Sequence, residues 1–286
     1  MLWSSAFAAI KIGLQYTPPL QFAGLRFFIA GLILLPFIKQ LPLKIRIAAQ
    51  HWKKIALVGF LQITVEYAFF YSGMSMVPGA LGAMIVGSGP LFVALVTHFF
   101  VKNDKITFRK GISITLGLIG VAVLALSQKE LTVAGSLVGL GIIFLILNNI
   151  TCGIGNVVAA KTTRGLPPLI LSSFSMIIGG SALFLFALPI EGFTVHSLPP
   201  EYYGSLAWLS FLSAAAITIW YTLLSRPGIK VSDLNMWKFI IPVLGALLSW
   251  MFLPNESPDA LSILGMAIIA SALLFLSSAK SKPRIN

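Results

Sequence analysis

Three ionisable side chains stand deep inside long apolar stretches of this 286-residue chain: Arg26, Glu66 and Lys238. If those stretches lie in a hydrocarbon layer, each charge is costly unless paired or hydrated, so each must face a protein interior or a watery cavity. Glu66 falls near the middle of the run Ile55 to Val77. A carboxylate there can couple a proton or balance a cationic group on a substrate. It can equally be a structural partner for Arg26, whose depth in its own run differs by only roughly 7 Å at helical rise. Arg26 can hold a substrate carboxylate in its guanidinium fork, or bond helix-end carbonyls and snorkel outward. Lys238 precedes Pro242 by four residues, so its ammonium and the carbonyls freed by the proline occupy neighbouring turns. It offers a positive charge to an anionic group in a cavity, or reaches the nearby surface.

Uncharged residues add to this set. Pro90 and Pro242 each remove a backbone hydrogen bond within an apolar run, leaving polar backbone that only a protein interior or a cavity tolerates. They are expected to kink or hinge their helices near a binding region, although proline also produces ordinary curvature. Asn149, Gly153 and Asn156 share one helical face, with Asn148 and Cys152 beside it. That stripe either lines a polar path or glues helices together. Trp3, Tyr67, Tyr71, Trp220 and Tyr221 are candidate cavity aromatics, with plain packing as the alternative. Gly135 and Gly139 form a GxxxG motif, read as close helix packing and a possible dimer face. The single cysteine excludes an internal disulfide. His51, His98 and His196 lack the spacing of a metal site. No nucleophile elbow, phosphate loop or HExxH motif occurs, so no catalytic residue, cofactor or metal is assigned.

The elements that position these groups follow from composition. Hydrophobic residues make up 57% of the chain and charged ones 10%, and the mean hydropathy is +0.94. Such a chain uses lipid as its main solvent. Ten apolar runs follow one another: Met1 to Leu14, Leu20 to Ile38, Ile55 to Val77, Gly79 to Val101, Gly111 to Ser127, Gly135 to Val157, Leu166 to Ile190, Tyr203 to Ser225, Val231 to Leu253 and Ala260 to Ser278. Each is read as a transmembrane helix. Continuous runs, rather than ten-residue alternation, exclude an outer-membrane barrel. The net charge of +12 does not mark a nucleic-acid binder, which needs a basic face on a soluble body.

The positive charge has a topological meaning instead. Sixteen of the 20 basic residues fall in alternate connections or the tail, among them Lys39, Lys53, Lys102, Arg109, Lys161 and Arg226. The intervening loops hold Lys129 and most of the acids, including Glu130, Glu191, Glu201, Glu256 and Asp259. The positive-inside rule makes the basic side cytoplasmic and places both termini there. The first run is short, which leads us to expect a further segment upstream of Met1.

The chain also repeats itself. Pro18-Pro19-Leu20 followed by Gly31 recurs as Pro167-Pro168-Leu169 followed by Gly180, at a constant offset of 149 residues. Pro90 recurs as Pro242, and Gly111 as Gly265, in the same order. Five spans per half is an odd number, so the second half enters the membrane in the opposite sense. The expected architecture is all-α: ten transmembrane helices in two inverted five-helix repeats, residues 1–127 and 135–278, with a basic cytoplasmic tail at 279–286.

In detail the chain resembles the EamA family of ten-helix transporters in the drug/metabolite transporter superfamily. The resemblance rests on Trp3-Ser4-Ser5-Ala6-Phe7 ending in Ile10-Lys11, on Pro18-Pro19-Leu20 leading to Arg26-Phe27, and on Tyr67 to Tyr71 before Gly89-Pro90-Leu91. Asn255-Glu256-Ser257-Pro258 leading to Gly265 completes it. It implies movement of amino acids, other metabolites or toxic compounds, often outward. Two places depart from the family pattern. Val101-Lys102-Asn103-Asp104 replaces the usual Leu-Gly-Glu, and Ile241 stands where a glutamate often precedes the proline.

The expected function is secondary active transport of a small metabolite, an amino acid or related organic compound, by alternating access and in the export direction. A proton or counter-substrate would drive it, from a cell membrane location, as monomer or homodimer. A channel or scaffold without a transport cycle is the alternative. An intramembrane enzyme is a weaker one, because the acids and histidines are not clustered.

Overall fold

The computed structural model describes residues 2–101, 106–126, 135–163, 165–192, 198–227, 229, 231–235, 238, 248, 251 and 259–278. Among them every regular element is helical. A 3₁₀ turn, Leu2–Ser5, leads into α1 (Ala6–Gly13), and α2 (Pro19–Leu34), α3 (Leu41–Gln50) and α4 (Trp52–Gly59) follow. A π-helical segment, Phe60–Val65, joins α4 to α5 (Glu66–Met76). Then come α6 (Gly79–Gly87), α7 (Gly89–Phe100), α8 (Phe108–Leu126), α9 (Gly135–Thr162), α10 (Pro168–Glu191), α11 (Pro200–Leu224), α12 (Val231–Asn235) and α13 (Ala260–Ser278). Proline stands in the first turn of α2, α10 and α11, where its missing N–H removes no helical bond.

Among the described residues, six helical stretches are long and apolar enough to cross a membrane: Pro19–Phe37, Trp52–Met76, Leu81–Phe100, Leu137–Thr162, Pro168–Glu191 and Pro200–Leu224. They fall on the second, third, fourth, sixth, seventh and eighth apolar runs. Outward-facing side chains such as Leu185, Phe186 and Ile190, 60% to 73% exposed, suit hydrocarbon rather than water. Of the ninth run, only Val231–Asn235, Lys238, Leu248 and Met251 are described, and Pro242 lies outside the described residues.

Three local expectations change. The basic stretch after the second run is not a plain loop, because α3 occupies its centre. Gln40 turns the chain into α3 with a left-handed φ of 57°. Exposed Leu43 and Ile45 beside Lys44 and Arg46 give α3 the mixed face of an interfacial helix. The fourth run is broken rather than kinked: α6 stops at Gly87, Ser88 forms the joint, and Pro90 lies in the first turn of α7. The amide of Ser88 folds back onto the Met84 and Ile85 carbonyls, and Pro90, having no N–H, cannot carry the ladder across. Lastly, Gly139 of the GxxxG motif packs against nothing among the described residues. Gly141 makes the close approach instead, where a Cβ would meet Met76 and Val77 at 2.8 Å.

Among the described residues, the most extensive helix pair is α2 with α10. The two run antiparallel: the start of α2 meets the end of α10, and Gly31 near its end meets Ser173 and Ile177. Both Glu191 carboxylate oxygens accept backbone bonds at the start of α2, from Leu20 at 2.8 Å and Gln21 at 2.9 Å. They satisfy amides that the helix leaves unpaired, at the end where its dipole favours negative charge. Gly24, Gly31 and Gly180 let the backbones close up, since a Cβ on Gly24 would lie 2.6 Å from the Phe184 nitrogen.

Candidate functional site

A cavity of about 100 Å³ lies where α1, α2, α5, α7 and α9 converge. Trp3, Phe7, Ile10, Tyr67 and Phe70 form its apolar walls, and Arg26, Glu66, Asn148, Asn149, Cys152, Asn235 and Lys238 supply polar groups. A lobe of about 30 Å³ adjoins it, sharing Trp3, Glu66, Tyr67, Cys152 and Lys238 and adding Gln62, Asn156, Trp220 and Tyr221. Trp3 and Tyr67 pack against both hydrophobic cores of the molecule, so the cavity lies between them.

Glu66 opens α5 directly after the π segment. A π turn widens the helix and redirects the side chains that follow, a device frequent at functional sites. Its Oε2 is buried without a hydrogen-bond partner among the described residues. Gln62, one turn earlier, and Cys152 are its polar neighbours, and Lys238 is the cation whose charge acts on it. The Lys238 ammonium does not pair with Glu66. It lies 4.2 Å from the Trp220 ring centroid and 5.0 Å from that of Trp3, with the Cys152 Sγ at 3.9 Å. The two indoles meet edge to face at 5.4 Å, joining the start of the chain to α11 around the ammonium.

Arg26 is not the partner of Glu66. Only 2% exposed, it donates from Nε to Ser213 Oγ at 2.8 Å and the Leu209 carbonyl at 3.2 Å, and from Nη1 to the Tyr71 hydroxyl at 2.6 Å. Its guanidinium carbon also lies 4.8 Å from the Phe27 ring centroid. Arg26 therefore ties α2 to α5 and α11. Tyr71 is fully buried behind it and is not part of the cavity lining.

The amides divide into two settings. Asn149 donates at 2.8 Å to the Ile85 carbonyl, which also accepts the Ser88 hydroxyl at 2.6 Å. It thus caps the break before Pro90 while lining the cavity. Asn156 lies two turns further along α9. Its Oδ1 accepts from Gln62 Nε2 at 3.0 Å and Trp220 Nε1 at 2.9 Å, and its Nδ2 faces Asn235 Oδ1 at 3.4 Å. Tyr221 closes the cluster by donating to Gln62 Oε1 at 2.8 Å.

Of the candidates, Trp3, Arg26, Glu66, Tyr67, Asn149 and Lys238 converge on the larger lobe and Asn156, Trp220 and Tyr221 on the smaller one. Gln62 and Asn235 were missed. Gln62 had a legible signal, since it stands four residues before Glu66 and so on the same helical face. Asn235 had none, because its pairing with Asn156 depends on a contact 79 residues apart.

These features define a polytopic helical membrane protein with an internal cavity whose opposite charges, among the described residues, are unpaired. The EamA-like transporter family matches residues 1–126 and again residues 139–278, and the chain belongs to that family. It is similar to the uncharacterized transporter YoaV of Bacillus subtilis, at 25% identity over 96% of this chain and 92% of that one. It is also 26% identical to the uncharacterized inner membrane transporter YedA of Escherichia coli K12, over 98% of this chain and 88% of that one. A solved chain, described only as a crystal structure of protein, superposes with a TM-score of 0.66 at 16% identity, covering 99% of this chain and 95% of that one. The protein is accordingly a multi-pass membrane transporter.

Proposed function

We propose that the chain is a secondary active exporter of a small zwitterionic metabolite, an amino acid or related organic compound, working by alternating access between two inverted five-helix halves. The observation that carries this reading is the pair of charges in one cavity: Glu66 has an unbonded oxygen, and Lys238 is held, among the described residues, by indoles and a thiol. An ammonium on the substrate would satisfy Glu66, and a carboxylate would draw Lys238 off its aromatic seat. Trp3, Tyr67 and Trp220 would supply apolar contacts. In this reading Arg26, Tyr71, Asn149, Asn156 and Tyr221 shape and close the site, Pro90 flanks it as a hinge, and Pro242 is its expected counterpart in the second repeat.

Two observations support the inverted repeat. The family matches the chain twice, over 1–126 and 139–278. The helices α2 and α10, whose starts carry the doubled Pro-Pro-Leu, pack antiparallel on each other. An odd five spans per half gives that opposite sense.

The experiment is flux in proteoliposomes. Counterflow of labelled substrate, found by screening amino acids and organic cations for relief of toxicity in overexpressing cells, is expected to saturate. Non-saturating flux without counterflow would sink the exporter and favour a channel.

A further inference from the structure

We infer that two hydrogen-bonded latches, one centred on Arg26 and one on Asn156, close the cavity at opposite ends, and that transport releases them one at a time. The inference rests on the transport reading above. The first latch joins Arg26 of α2 to Tyr71 of α5 and to Ser213 and the Leu209 carbonyl of α11. The second joins Asn156 of α9 to Gln62, Trp220 and, through Gln62, Tyr221.

Two helices independently order the latches along the bundle. In the stretch Trp52–Met76, Gln62 and Tyr71 are nine residues apart, about 13 Å at helical rise, and Glu66 lies between them. In α11, Ser213 and Tyr221 are eight residues apart, about 12 Å. Tyr221 lies near the end of α11 and Asn156 in the last two turns of α9, whereas Ser213 and Leu209 lie back toward the start of α11, where Tyr202 packs on Phe22 near the start of α2. The cavity residues Glu66 and Cys152 are thus bounded by one latch on each side. Each latch also bridges the matched stretches 1–126 and 139–278, so halves that rock apart at one end must break the bonds at that end.

The Asn156 latch is made of neutral side-chain bonds, each of modest net worth, whereas the Arg26 latch is centred on a buried charge, so its opening must let water replace the partners of the guanidinium. A cavity closed by two barriers transports only if they open alternately. Opening both at once would make a leak.

Cys152 lines both lobes and is the only cysteine in the chain, so its thiol reports access to the cavity. The test measures the rate of Cys152 modification by a charged, membrane-impermeant methanethiosulfonate, read as a protein mass shift. It is applied to right-side-out and inside-out vesicles carrying the full chain. Asn156→Ala and the milder Tyr221→Phe are expected to speed labelling from one face by about tenfold. Arg26→Gln and the milder Tyr71→Phe are expected to speed it similarly from the opposite face. The phenylalanine variants lose one hydroxyl each, bonded to Gln62 or Arg26 and not to the Cys152 thiol that Asn156 contacts, so they serve if the larger changes prevent folding or alter the thiol itself. Acceleration from the same face in both sets, or from neither face, overturns the latches. Intact counterflow beside that result would leave the transport cycle standing. Opposite-sided labelling without counterflow would instead overturn the transport cycle and retain the two gates.

Discussion

Gly31 and Gly180 approach each other's helices reciprocally. A Cβ on Gly31 would lie 2.6 Å from Ile177 Cγ1, and one on Gly180 would lie 2.5 Å from the Phe28 backbone nitrogen. Gly31 and Gly180 are 149 residues apart, and so are Phe28 and Ile177. The contact therefore maps onto itself under that 149-residue offset, which supports the inverted repeat proposed above. At Gly180 the space is closed by backbone, and at Gly31 by the Ser173 carbonyl at 2.7 Å as well as by Ile177, so only glycine fits at either position.

Gly180→Val is expected to destabilise the protein by about 1–3 kcal/mol, the cost of overpacking a tight interface. A thermal melt of purified protein in detergent reads the loss. Gly139→Val, at a position where a Cβ meets nothing among the described residues, is the matched control. Equal melting of the two variants would refute the close approach.

Glu191→Ala removes the carboxylate that accepts two amides at the start of α2. A loss of about 1 kcal/mol is expected, in the range of a deleted helix cap. Glu191→Gln keeps one acceptor oxygen and should fall between wild type and alanine in the same melt. An order in which glutamine is the worse of the two would count against capping.

Glu66→Gln keeps the shape of the side chain while removing its charge. Gradient-driven flux in proteoliposomes is expected to be lost, with the gel-filtration profile unchanged. If flux and its dependence on external pH both survive, Glu66 carries neither substrate nor proton.

Trp220→Phe separates two roles of one ring. The aromatic face under Lys238 is kept, while the indole N–H that bonds Asn156 is lost. Transport should continue with only a small rise in KM, since one bond of the Asn156 latch is lost, and a melt should show about 1 kcal/mol less stability, the usual net worth of one hydrogen bond. Trp220→Leu removes the face as well and should raise KM further. Identical KM values for the two variants would argue against the aromatic seat.

Much of this was legible in the sequence because hydrocarbon imposes a simple code. Helices α10, α11 and α13 fall within a few residues of the seventh, eighth and tenth apolar runs, since length and hydropathy alone decide what can cross a bilayer. Glu66, Arg26 and Lys238 could be singled out because charge within such runs is too costly to be incidental. The offset between the two Pro-Pro-Leu segments could be read by eye. The break at Ser88 was only half legible: Pro90 marked the place, but whether a freed carbonyl is met by bending or by a side chain depends on Asn149, 64 residues from Ile85.

What tertiary structure alone decided is which charge meets which group. Sequence depth put Arg26 and Glu66 close enough to pair, yet depth fixes position along the membrane normal and not direction around a helix. The π segment before Glu66 and the reach of Arg26 toward Ser213 and Tyr71 turn the two apart. Hydropathy thus determined a helical membrane protein with charges in its interior. Packing determined that Arg26 is tied into the helices while Glu66 and Lys238 share one cavity without pairing, because partners in a bundle are chosen by the angular setting of helices that meet across the fold.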